Sequence, residues 1–182
     1  MTKVELVVAI AILLALILFV ATPQVGSPVK LTNTVTVSNM RQLHMAIQQM
    51  TLDNEVAGKR LRWTCEGSEP VTREKLIRAL LDGPYLQEDD LKKLLSVSDK
   101  YGTVTEDGYS IFAITSDDQP QTVMMATKNW SPHSDKLSED SPGHQNFVVF
   151  RKGGDGAVLQ ARQAAQINLI GEGGQFGYLP LK

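Results

Sequence analysis

Met1 to Ala21 reads MTKVELVVAIAILLALILFVA. From Leu6 to Ala21 sixteen consecutive residues are apolar, and no other stretch of the chain is like it. As a helix rising ~1.5 Å per residue it extends about 30 Å with its flanks, close to the hydrocarbon thickness of a bilayer. The discordant residue is Glu5. A carboxylate at the lip of an apolar helix is expensive to bury unless it is partnered. The nearest inherent cation is a free amino terminus, four residues upstream at Met1.

Three readings compete for this stretch. A secretory signal peptide has a positive n-region, a shorter apolar centre and a small-residue cleavage site. Here Lys3 is the only basic side chain before the run, and Pro23 follows it without a clear Ala-x-Ala. A plain membrane anchor requires only the apolar length. The third reading comes from order and spacing: an apolar first residue, Glu5, the run Leu6–Ala21, then Pro23. This resembles the mature N-terminus of type IV pilins, with two departures: Lys3 stands where an apolar residue is usual, and no Gly-ended leader precedes Met1, as is expected if Met1 is the residue after the cut.

The resemblance implies a fold and a role. A prepilin peptidase would cut before Met1 and methylate its amine. The apolar helix would hold the subunit in the inner membrane as a single pass, then pack in the core of an extracellular, cell-surface filament. Subunit contacts would fall on Met1, Glu5, Leu6, Ile10, Leu13, Leu14 and Ile17, and Glu5 would pair with a neighbour's Met1 amine. The implied partners are further copies of the chain, in a helical homopolymer, the peptidase and the pilus assembly machinery.

Composition bounds the rest. The chain has 182 residues, one domain's worth plus the apolar run. Its net charge is −2 and its pI is near 5.9, without the basic balance of a nucleic-acid binder. Mean hydropathy is −0.12, but unevenly spread. The single cysteine, Cys65, excludes an intrachain disulfide, unlike many pilins. Cys65 reads as a small buried apolar residue.

Thr22-Pro23-Gln24-Val25-Gly26-Ser27-Pro28 ends the apolar run. Each proline removes an amide donor and clashes with the preceding turn of a helix. The segment reads as a break carried by Pro23, Gly26 and Pro28, with helix on both sides. Val29–Val37 is β-branched and, taken alone, has a strand's composition. From Ser38 the period is helical: Met40, Leu43, Ile47, Met50 and Asn54 form one stripe. The pattern predicts a helix over about 30–57, stopped by Gly58. The chain thus divides into 1–28, 29–57 and a globular head over 58–182.

Lys59–Pro70 reads as a loop carrying Trp63. A short helix follows, capped by Thr72, with Leu76, Ile77, Leu80 and Leu81 facing inward and Val71 stapled to Leu76. Gly83-Pro84 ends it. A second helix has Glu88, Asp89 and Asp90 at its positive end, Leu91, Leu94 and Leu95 on one face, and Lys92 and Lys93 late. Asp82-Gly83-Pro84-Tyr85-Leu86 followed by Asp89–Ser96 loosely resembles prepilin-like proteins of the Planctomycetes–Verrucomicrobia group. Tyr109–Thr115, Gln121–Lys128 and Asn146–Lys152 read as strands. Gly153-Gly154-Asp155-Gly156 reads as a turn into a hairpin partner, Ala157–Gln160.

Chemical motifs are sparse. Ser131, His133 and Asp135 are neighbours on one loop, where triads seldom form, and no Gly-x-Ser-x-Gly or His-Glu-x-x-His occurs. Gly171–Gly177 lacks the Lys-Ser/Thr of a phosphate loop. Asp99, Glu106 and Asp107 do not match an EF-hand spacing, although some secretion pseudopilins bind calcium in the head. Asn129-Trp130-Ser131 is a glycosylation sequon. The expectation is therefore a non-enzymatic α+β protein without cofactor or metal. A long N-terminal helix, interrupted near 22–28, carries a head of short helices and an antiparallel sheet. It would be a structural pilin, with a type II secretion pseudopilin or a non-polymerising membrane-anchored binding module as alternatives.

Overall fold

A computed structural model describes residues 28–98, 104–105, 107–131 and 146–164. The first element is helix α1, Pro28–Val56. It starts earlier than its sequence pattern suggests, which corrects the expected break at its C-terminal edge. Pro28 belongs to the helix and opens it. Proline suits a helix's first turn, where its missing N–H has no partner to lose and its fixed φ is already helical. Pro23 and Gly26 lie outside the described residues. The β-branched stretch is helical too: Thr36 is buried and Val37 packs against the core, and this tertiary burial, with the helix that continues from it, overrides a weak local preference.

The predicted stripe is the buried one. Met40, Leu43, Ile47 and Met50 are buried against the head, and Asn54 is buried at its end. Asn54 is polar for a reason: its Nδ2 donates to the carbonyl of Leu61 at 2.9 Å, fixing where the chain leaves the helix. Gly58 stops α1 at φ +68. The amide of Lys59 donates to Asn54 O at 2.8 Å and that of Gly58 to Glu55 O at 3.2 Å. These are the two bonds of a Schellman cap, whose left-handed residue favours glycine.

The expected loop over Lys59–Pro70 instead folds into three two-residue strands, β1 (Leu61–Arg62), β2 (Cys65–Glu66) and β3 (Glu69–Pro70), joined antiparallel in that order. Such strands are too short to show a period of two. Helix α2 (Arg73–Asp82) starts as predicted, with Lys75 N donating to Thr72 Oγ1 at 3.2 Å. Val71, Leu76 and Leu80 join the same core cluster, with Ile77 and Leu81 partly buried beside it. Helix α3 (Glu88–Leu95) buries Leu91, Leu94 and Leu95. A small hairpin, β4 (Val97–Ser98) with β5 (Val104–Thr105), had no clear signal in the sequence.

The main sheet is antiparallel, in sequence order: β6 (Tyr109–Ile111), β7 (Val123–Thr127), β8 (Asn146–Arg151) and β9 (Gly156–Gln160). A single 3₁₀ turn, Ala161–Gln163, follows. Both faces of this sheet are buried. Along β8, Val148 and Phe150 face the cluster shared with α1, while Phe147 and Val149 join a second cluster with Trp130. Strict alternation fails in β7, where Met124 and Met125 both belong to the α1 cluster. The β7–β8 register shifts between Val123 and Met125. That bulge puts two successive side chains on one face and returns Ala126 to the other.

Candidate functional site

The residues expected to carry assembly, Met1, Glu5, Leu6, Ile10, Leu13, Leu14 and Ile17, lie outside the described residues, as does the rest of the apolar run. Among the described residues no helix is long and apolar enough to cross a membrane. What the structure does place is the head that this run leads into, together with one groove on it.

The groove has a volume of about 370 Å³ and is lined in part by α1. One wall is the helix itself, through Arg41, His44, Met45 and Gln48. Trp63 forms a second wall, and Pro120 with Lys152, Gly153 and Gly154 forms the third. Its parts come from four places in the sequence, so no local spacing could announce it. Trp63 sits in the two-residue turn between β1 and β2 at φ 54. That backbone conformation is strained for a bulky side chain and persists only where its surroundings impose it.

The surroundings are specific. The amide of Trp63 donates to Thr51 Oγ1 at 2.7 Å, and that hydroxyl donates to Ile47 O at 2.8 Å. The neighbouring Thr64 is fully buried. Its hydroxyl donates to Phe112 O at 2.9 Å and accepts from Ile114 N at 2.6 Å. The indole lies 5.7 Å from the His44 ring, and the Lys152 ammonium sits 5.4 Å above it. Lys152 Nζ also donates to Ser116 O at 2.7 Å and Asp118 O at 2.5 Å. Burial lowers the pKa of Lys152, and the nearby Asp118 and Asp117 carboxylates partly offset this.

His44 is buried, with its ring packed against Trp63 and Phe150. Its Nε2 lies 2.7 Å from Lys152 O. A carbonyl only accepts, so Nε2 carries the proton. Arg41 contrasts with these engaged groups: it is exposed and has no ion-pair or hydrogen-bond partner among the described residues. No residue lining the groove is acidic.

The other sequence candidates resolve differently. Asp107 receives Arg73 and Lys128 in ion pairs, the latter at 2.6 Å. Burial raises its pKa, but hydrogen bonds and charge from Lys128 and Arg73 outweigh this and hold the carboxyl below its usual range. Its expected neighbours Asp99 and Glu106 lie outside the described residues, among which no three metal-ligating side chains gather. Ser131 is exposed, while His133, Asp135 and Gly171–Gly177 are also outside. The sequon asparagine, Asn129, is buried, and its Nδ2 donates to Asn146 O at 2.9 Å. The nitrogen that a glycan would take is therefore occupied. Cys65 is buried as expected; burial pushes its thiol pKa up, partly offset by the hydrogen bond with Thr64. Comparison with protein-family models, curated proteins and solved structures gives no match.

Proposed function

We propose that the chain is the structural subunit of a type IV pilus-like filament. One observation carries this reading. A sixteen-residue apolar run with a single carboxylate at its lip leads, within seven residues, into a helix whose other end is built into an α+β head. The run is suited to a membrane and then to a water-free filament core, and α1 connects it to the head. The buried stripe from Met40 to Asn54 supports a rigid union of α1 with the four-stranded sheet, as load-bearing along a fibre requires. No catalysis is assigned, and assembly into a homopolymer through the run is the activity proposed.

A type II secretion pseudopilin is the neighbouring alternative within the same design. From another class, the Arg41–Trp63 groove favours a membrane-anchored binding module, since it is the kind of concavity that module would need. Imaging of filaments sheared from the cell surface, with the chain identified in them by mass spectrometry, tests the proposal. Filaments built from this chain support it; a chain found only as dispersed membrane protein under assembling conditions overturns it.

A further inference from the structure

We infer that the groove between α1 and the β8–β9 turn binds an acidic segment of another protein, with a carboxylate between apolar side chains. The inference does not rest on the filament reading. Arg41 is the one cationic side chain at the groove that is both exposed and unpartnered among the described residues, and no acid lines the cavity. A guanidinium offers two parallel N–H donors to a carboxylate and is weakly hydrated, so it gives up water for such a partner more readily than an ammonium does. Lys152 contributes less than Arg41, because two of its three ammonium donors already go to carbonyls.

The apolar part of the recognition is equally local. Met45 is half exposed, 51% of its surface being accessible, and it lines the groove together with Trp63. A thioether and an indole together accept aliphatic and aromatic side chains of varied shape. Gln48, one turn from Met45 and two from Arg41 along α1, supplies amide hydrogen bonds to a passing backbone. Gly154 adds no side chain, at φ +90, so the floor stays open beside the His44 ring. An open groove of this kind holds one or two residues of a peptide and would leave a free small molecule largely in water.

The test uses the full chain in a non-ionic detergent, with methionine methyls labelled for NMR. N-acetyl-Leu-Glu-Phe-amide is titrated in, and the Gln and Lys peptides of the same frame serve as comparisons. Met45 is the reporter; Met40, Met50 and Met124 are buried and serve as internal controls. The Glu peptide is expected to shift Met45 saturably and leave the buried methyls in place. The Gln peptide and the Arg41→Ala variant should each weaken binding by about tenfold, and Arg41→Lys by less. Arg41 is exposed on a helix, so alanine there leaves the fold intact; unchanged buried methyl signals verify this. Equal binding of Glu and Gln peptides overturns the inference, as does binding unaffected by Arg41→Ala. So does the absence of a saturable shift up to about 5 mM peptide, beyond the millimolar range of a single ion-paired contact.

Discussion

The Nε2 of His44 donates to the main-chain carbonyl of Lys152 across 2.7 Å, and these residues are 108 positions apart. The bond joins the middle of α1 to the turn that follows β8. The ring that makes it is packed at 5.4 Å from Phe150 and 5.7 Å from Trp63. Helix, small sheet and main sheet therefore meet at one side chain. Replacing His44 by Phe should keep the packing but strand the Lys152 carbonyl, destabilising the fold by roughly 1–3 kcal/mol. His44→Ala should cost more, about 3 kcal/mol or above, since the ring's contacts go as well. Urea denaturation of the head checks both; an Ala variant as stable as the Phe variant would contradict the packing role.

Thr64 makes a sharper prediction. Its hydroxyl serves Phe112 O and Ile114 N at once, in a site with no exposure. Thr64→Val preserves shape and removes both bonds, taking from the buried Ile114 amide its hydroxyl acceptor, so a loss of about 1–3 kcal/mol is expected. Thr64→Ser should recover most of it. If the Val and Ser variants unfold at the same denaturant concentration, the hydroxyl is not what holds the β1–β2 turn.

Much of this fold was legible before the structure. The stripe Met40–Asn54, the Gly58 stop and the Thr72 cap are local signals, each set by bonds within a few residues. The strands of the main sheet were placed within a few residues, because Phe147 to Phe150 is a continuous apolar run buried on both faces. Three features escaped. Pro28 was read as a breaker, although its position in a first turn makes it an opener. The two-residue strands β1 to β5 are fixed by contacts such as Thr64 with Phe112, which no window of sequence contains. The groove is assembled from residues 41–48, 63, 120 and 152–154, and only Gly153-Gly154 gave any signal, that of a turn.

Asp107 links stability to acid. Its folded pKa is depressed by Lys128 and Arg73 against the opposing effect of burial. A depressed carboxylate stabilises the fold above its unfolded pKa, about 3.9, and that contribution disappears as pH falls through the lower folded value. The Asp107→Asn variant, which keeps a residue tolerant of φ 62, should therefore be less stable than the parent at neutral pH. The difference should close as pH drops below about 4. The side chain is 43% exposed, so solvent screening keeps the expected gap below about 1 kcal/mol. A gap that widens in acid would reverse the sign of the argument.

Cys65 should be chemically silent in the native state. Burial both hides the thiol and raises its pKa, so little thiolate forms and none is presented to reagent. Reaction with a disulfide reagent should follow unfolding, speeding by orders of magnitude in denaturant. Rapid labelling of the folded chain would show that β2 opens far more often than its packing implies.

The most direct test of the filament proposal is the abundance of sheared surface filaments from cells carrying Glu5→Ala. In a core without water an unpaired carboxylate is strongly unfavourable, so the proposed pairing of Glu5 with a neighbour's Met1 amine sets axial register more than it adds stability. Removing the carboxylate leaves the apolar run and the head intact. The proposal predicts normal amounts of subunit in the membrane fraction and few or no filaments. Filaments of normal number and length from Glu5→Ala would contradict it.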